Sequence, residues 1–207
     1  MQHSVGNRLA ARLRDCADTS MQPLMGCINA AMALIDAVFG GMTRTQWEHT
    51  LRSKVDLSWN LYQQLPPHID FFILMWSLAG IYVNMAQANY AAGCAFQNAL
   101  ARHRITLGRG KTSVSLDLGW LGDAGIITER DGYAQNRSNA RDMNPVKVAD
   151  LIALLKMYCD PALPPPDREA RGNKNHFLVG AIPPVDFPNS VGPHVSSRHY
   201  RCYPVSS

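Results

Sequence analysis

Along this chain the spacing of apolar and polar positions switches between the strand and helix periods. In residues 7–18, Leu9, Leu13 and Cys16 fall on one side of a short helix. The run "PLMGCINAAM" is apolar up to Asn29 and predicts a buried strand. Thr43 and Gln46 fit the capping box S/T-x-x-E/Q, so a helix is expected to start there. Trp47, Leu51, Val55 and Tyr62 recur at near-helical spacing and predict its core face to about Leu65, where Pro66 and Pro67 end it. "DFFILMWS" is too short for a buried helix and rich in aromatic and β-branched residues, which predicts a central parallel strand.

The loop "LAGIYVNMAQ" then feeds a helix over about 89–104. "TSVSLDLGW" alternates Val114, Leu116 and Leu118 and predicts a third strand. Asn144 and Pro145 predict an N-cap and first helical position before "VKVADLIALLKMYCD". "HFLVGAI", residues 176–182, predicts a last short strand. Strands alternating with helices indicate an α/β fold built on a doubly wound parallel sheet. Residues 188–207 show no periodicity and are expected to be disordered, leaving 1–187 as one domain.

A hydrophobic content of 46% with 17% charged residues is that of a soluble globular protein. The net charge of +4 is scattered, without a run of like charge, which argues against nucleic acid or a membrane surface as partner. No apolar stretch approaches the roughly 20 residues of a membrane helix, and the first residues lack the apolar core of a signal peptide. Five dispersed cysteines without a CxxC fit a reduced, cytoplasmic chain.

Ligands of open parallel sheets bind beyond the C-terminal ends of the strands. Asn29 and Ser77 end two predicted strands, Tyr90 heads the next helix, and Lys54 lies on the helix between those strands. An ammonium beside a phenol favours the phenolate, so Lys54 is expected to lower the Tyr90 pKa. A tyrosine so tuned can donate a proton to a carbonyl oxygen that a serine hydroxyl orients. A loose His194–His199–Cys202 pattern lacks a fourth ligand, and no metal is expected.

The order Lys54, Ser77, Tyr90 and the phrases "SLAGIYVNMAQANYAAGCAFQNALARHR" and "SVSLDLGWLGDAGII" resemble the ketoreductase domain of fungal highly reducing polyketide synthases. That domain belongs to the short-chain dehydrogenase superfamily. The resemblance implies a Rossmann-like sheet and NADPH-dependent reduction of a β-ketoacyl thioester carried on an acyl carrier protein. It implies Tyr90 as proton donor, Ser77 as carbonyl-orienting hydroxyl, and Lys54 as the lysine that tunes Tyr90 and contacts the cofactor ribose. Asn29, Ala30 and Ala31 would line the cofactor site, and Gly119 and Trp120 would pass near the nicotinamide.

Three departures stand out. Cys94 occupies the position where many relatives have asparagine, and Trp76 replaces the first serine of the usual pair. The glycine-rich dinucleotide turn is also missing, which implies a truncated domain lacking its N-terminal cofactor-binding strands. Gly108-Arg109-Gly110 is no substitute, because it follows a helix and precedes a strand, the reverse of the fingerprint. The stereochemical markers would fall at Ile35 and Tyr82, and neither is the marker residue. Besides an active reductase, two alternatives stay open: an inactive remnant, and a half-domain whose exposed sheet edge self-associates or recruits a partner that completes the cofactor site.

Overall fold

Thr43 starts the long helical region as its capping box predicts. In the computed structural model of the chain, which describes residues 9–15, 23–78, 81, 86–109, 112–123, 144–162, 176–181 and 201–203, the Thr43 hydroxyl accepts from the Gln46 backbone and Gln46 reaches back to the Thr43 N–H. Thr43→Ala is therefore expected to cost about 1 kcal/mol, read by chemical denaturation. A loss below about 0.3 kcal/mol would show that tertiary packing, not the cap, sets this helix start.

The elements in chain order are a helix α1 over residues 9–15, β1 (Gly26–Asn29), α2 (Arg44–Leu51), α3 (Leu57–Gln64), β2 (Phe71–Ser77), α4 (Ala88–Thr106), β3 (Thr112–Leu118), α5 (Val148–Tyr158), β4 (His176–Val179) and β5 (Arg201–Tyr203). The strands form one parallel sheet in the order β1-β2-β3-β4-β5. It is an α/β sheet of Rossmann type. On one face Ile73, Val114, Leu116 and Val179 pack with Leu151 and Tyr158 of α5. On the other, Phe72 and Leu74 pack with Tyr62 of α3 and Leu100 and Ala101 of α4.

The alternation in β3 marks two buried layers rather than one wet face. Ser113, Ser115 and Asp117 are as buried as the apolar residues between them. Burial holds the Asp117 carboxyl well above its usual range, against the smaller opposing pull of the neighbouring Asn98 amide. The strand therefore keeps its small polar residues under α4.

Three expectations need correction. The buried face of the α2–α3 region is not Trp47, Leu51 and Val55 but Thr50, Lys54, Ser58 and Tyr62. These four recur every fourth residue. A π turn over Arg52–Asp56 joins α2 to α3, and its extra residue lengthens the repeat so that a spacing of four stays on one side.

Secondly, Asn144 and Pro145 do not open α5. The Asn144 N–H donates to the Gly180 carbonyl, Val146 bridges to Leu121, and Lys147 is the N-cap. The Val148 N–H that starts the helix is held by the carboxylate of Asp123.

Thirdly, part of the tail expected to be disordered is a strand. Residues 201–203 form β5 and pair with β4 from Phe177↔Arg201 to Val179↔Tyr203, covering what would otherwise be an open edge. The rest of 188–207 lies outside the described residues. The last predicted strand is also shorter than expected, because Gly180 takes φ of +82° and turns the chain away. A side chain there would meet the Asn144 carbonyl at 2.7 Å.

Candidate active site

The polar stripe of the α2–α3 region is where the candidate chemistry gathers. α2 and α3 run beside α4, and their facing residues meet in three successive rungs. In the first, the Asn89 amide donates to the Thr50 hydroxyl at 3.0 Å. In the second, Lys54 passes beneath Gly93 and brings its ammonium over the Tyr90 ring, 5.4 Å from the centroid. In the third, Ser58 accepts from Gln97 at 2.8 Å and from Asn29 at 2.9 Å.

Tyr90 and Lys54 thus meet beside the C-terminal end of β2, the strand that Ser77 closes. Lys54 is 1% exposed, and its ammonium donates to the Met75 carbonyl at 3.1 Å, two residues before Ser77. Cys94, one turn after Tyr90, packs with Tyr90 and Trp76 and faces the backbone of Ser77. The Tyr90 hydroxyl donates to the Met32 sulfur at 3.4 Å.

The electrostatics reverse one expectation. Tyr90 is not tuned downward: burial, with the Cys94 sulfur beside its hydroxyl, holds its pKa well above the ordinary phenol value. Lys54 itself is pushed down by burial. The ammonium sits over the Tyr90 ring, 5.4 Å from its centre, and does not offset the desolvation of the phenol. Cys94 is pushed up to about 12 by burial and stays a thiol. Fully buried among apolar side chains, it is a packing residue of this site.

Asn29 is a brace between layers. Its Nδ2 donates to Ser58, and its Oδ1 accepts from the Ala31 N–H at 3.1 Å. Of its neighbours, Ala30 is exposed and Ala31 half-buried. Gly119 donates its N–H to the Val179 carbonyl at 2.7 Å. Trp120 packs against Leu78 and Leu178, next to the end of β2, and its buried indole N–H has no acceptor among the described residues.

These groups fit the nicotinamide and ribose end of a dinucleotide: two hydroxyls, an ammonium and an orphaned indole donor lie at adjoining strand ends. Among the described residues no G-x-G-x-x-G turn runs from a strand into a helix to cradle the pyrophosphate end. Among the described residues no cluster of His, Cys, Asp and Glu could hold a metal ion. His194 and His199 lie outside those residues.

Sequence reasoning missed Thr50, Ser58, Gln97 and Asn89. Their signal was present as polar residues spaced by four, Thr50-Lys54-Ser58 opposite Asn89-Gly93-Gln97. Gly93 is the pivot of that packing, since a Cβ there would lie 2.8 Å from Lys54 Cβ. That atom belongs to the base of the side chain and cannot swing away. Gly93→Ala is expected to destabilise the chain by about 1–3 kcal/mol, read by urea denaturation. A neutral effect would mean that α4 can stand further from Lys54 than it does here.

Known proteins share this fold. A profile of the KR domain matches residues 4–123. Highly reducing polyketide synthase 2 of Gibberella zeae is 50% identical over 159 residues, which are 76% of this chain and 6% of that protein. The chain thus spans a small part of the length of this curated relative. A ketoreductase from the first module of phoslactomycin biosynthesis in Streptomyces sp. HK803 superposes with a TM-score of 0.64 at 25% identity, over 77% of this chain and 36% of that one. The gluconate 5-dehydrogenase of Burkholderia cenocepacia, solved with NADP and tartrate, shares the fold at a TM-score of 0.65 and 14% identity, over 76% and 65% of the two chains. With its profile match spanning more than half of the residues, the chain belongs to the KR domain family, the ketoreductases of polyketide synthases.

Proposed function

We propose that the chain carries the proton-donating half of a ketoreductase that reduces a β-ketoacyl thioester, carried on an acyl carrier protein, to the β-hydroxyacyl form. The observation that carries this reading is the meeting of Lys54 and Tyr90 beside the end of the strand that Ser77 closes, with the Tyr90 hydroxyl already directed at an acceptor. In the reaction Tyr90 gives its proton to the ketone oxygen, and Ser77 hydrogen-bonds that oxygen and fixes its orientation. Lys54 lies close enough to stabilise the phenolate as it forms, which matters more in a buried site than in water. When bound, NADPH supplies the hydride.

The free thiols of Cys27, Cys94 and Cys159 support a reduced, cytoplasmic setting. Residues 1–187 are the domain on this reading.

A second feature favours a chain that works with a partner. Among the described strands β1 pairs only with β2, and Leu24 and Met25 just before it and Ile28 within it are exposed. Such an edge accepts a further strand, from a second copy or from a polypeptide that brings the phosphate-binding turn.

The test is reduction of a β-ketobutyryl thioester of N-acetylcysteamine, followed by loss of NADPH absorbance. It is run on the full chain alone and on the chain co-expressed with a glycine-rich strand–turn–helix half. Turnover in either sample supports the reductase, and turnover only in the second supports the partnered form. Silence in both would sink the reading.

A further inference from the structure

Asn89 precedes Tyr90 and is 1% exposed. Its Nδ2 donates to the Ile35 carbonyl at 3.0 Å, to the Thr50 hydroxyl at 3.0 Å and, more weakly, to the Gln46 carbonyl at 3.4 Å. Carbonyl oxygens only accept, so the amide can face them only with its nitrogen. Its Oδ1 accepts from the Tyr90 N–H at 2.8 Å. That N–H belongs to the first turn of α4, where no earlier helical carbonyl is available to it.

One side chain therefore ties together α2, the segment after β1, and the backbone of Tyr90. Two neighbouring bonds follow the same path. Ala37 N–H donates to the Ala86 carbonyl at 2.9 Å, and Gln87 Nε2 donates to Asp36 at 3.1 Å. Ala86 has φ of +67°, which costs a non-glycine residue about 1 kcal/mol or more and persists only where its surroundings hold it. The same segment carries Met32, whose sulfur meets the Tyr90 hydroxyl.

We infer that Asn89 is the positioning residue of Tyr90. It fixes where α4 begins relative to α2 and to residues 35–37, and so where the phenol stands relative to Lys54 and Ser77. The catalytic meaning of that position rests on the ketoreductase reading; the latch itself does not. Asn89 does not touch the ketone.

Two measurements test this on the full chain. Hydrogen exchange by mass spectrometry on Asn89→Ala and Thr50→Val is expected to accelerate in peptides covering residues 35–37 and the first turn of α4. Peptides covering Phe71–Ser77 should keep their wild-type rates, and Thr50→Ser should restore the pattern of Thr50→Val. In the sample that turns over, kcat should fall about ten- to hundredfold while KM for the thioester stays within about twofold, as expected when a bound substrate meets a displaced group.

Unchanged exchange at residues 35–37 and α4, or acceleration spread equally over β2, overturns the proposal, since the latter is general destabilisation. Local acceleration with an unchanged kcat also overturns it. If the wild-type chain reduces no ketone in either sample while the local exchange pattern appears, the ketoreductase reading fails and the latch on Tyr90 stands.

Discussion

Tyr90→Phe should lower thioester reduction by about 10²–10⁴-fold while leaving the fold and cofactor affinity close to wild type. The change removes one oxygen from a buried ring that packs with Trp76 and Cys94. The ring itself keeps its contacts, so stability should move by less than about 1 kcal/mol; the lost partner is a thioether, a weak acceptor. What disappears is the proton that the ketone oxygen must receive. A variant with near-normal turnover would remove Tyr90 from the mechanism, and a collapse of the fold would mean that the hydroxyl was structural.

Lys54→Met should divide stability from activity. The ammonium is buried without a carboxylate beside it, and burial pushes its pKa down. The sign follows from that direction. Because the native state binds the Lys54 proton less tightly than the unfolded chain does, this group's penalty is fully present below the native pKa. It fades as pH rises towards the ordinary lysine value. Methionine matches the stem, omits the charge and can pass beneath Gly93 in the same way. At neutral pH the variant should be as stable as wild type or more stable, by up to about 3 kcal/mol, as seen when buried charges give way to apolar groups. Turnover should fall at least tenfold, the order of a lost electrostatic contact to a developing anion. Urea denaturation across pH, paired with the reduction assay, reads both. A destabilised Lys54→Met would show that the bond to the Met75 carbonyl outweighs the desolvation of the ammonium.

Both substitutions test residues that were visible in the sequence, and the reason is physical. Lys54, Ser77 and Tyr90 sit at positions where strand ends and a helix start can be located from apolar runs and turn residues. The parallel sheet was legible for the same reason, since β1, β2 and β3 are short continuous or alternating apolar segments between helices. Less visible was the packing of the α2–α3 region. Its apolar residues follow one helical face, but the π turn rotates the chain and buries Thr50, Lys54 and Ser58 instead. Burial of polar side chains depends on partners far along the chain, here Asn89, Tyr90, Gln97 and Asn29, which no local periodicity can reveal. The Tyr90 pKa failed for a related reason. Sequence placed a cation near a phenol, but only the folded packing puts it over the ring and buries the tyrosine.

The strict order of the sheet has a consequence for how the protein is made. Each strand pairs with the one synthesised before it, from β1 through β5. Among the described strands none has to wait for a later one to separate it from its neighbour. A nascent chain can therefore add strand and crossover helix one unit at a time, each arrival finding a finished edge to dock on. Tyr90 becomes properly housed once α4 has settled on α2 and α3, before β4 and β5 have been delivered. Arg201–Tyr203, which emerges after β4, then covers an edge that would be open to other chains during synthesis.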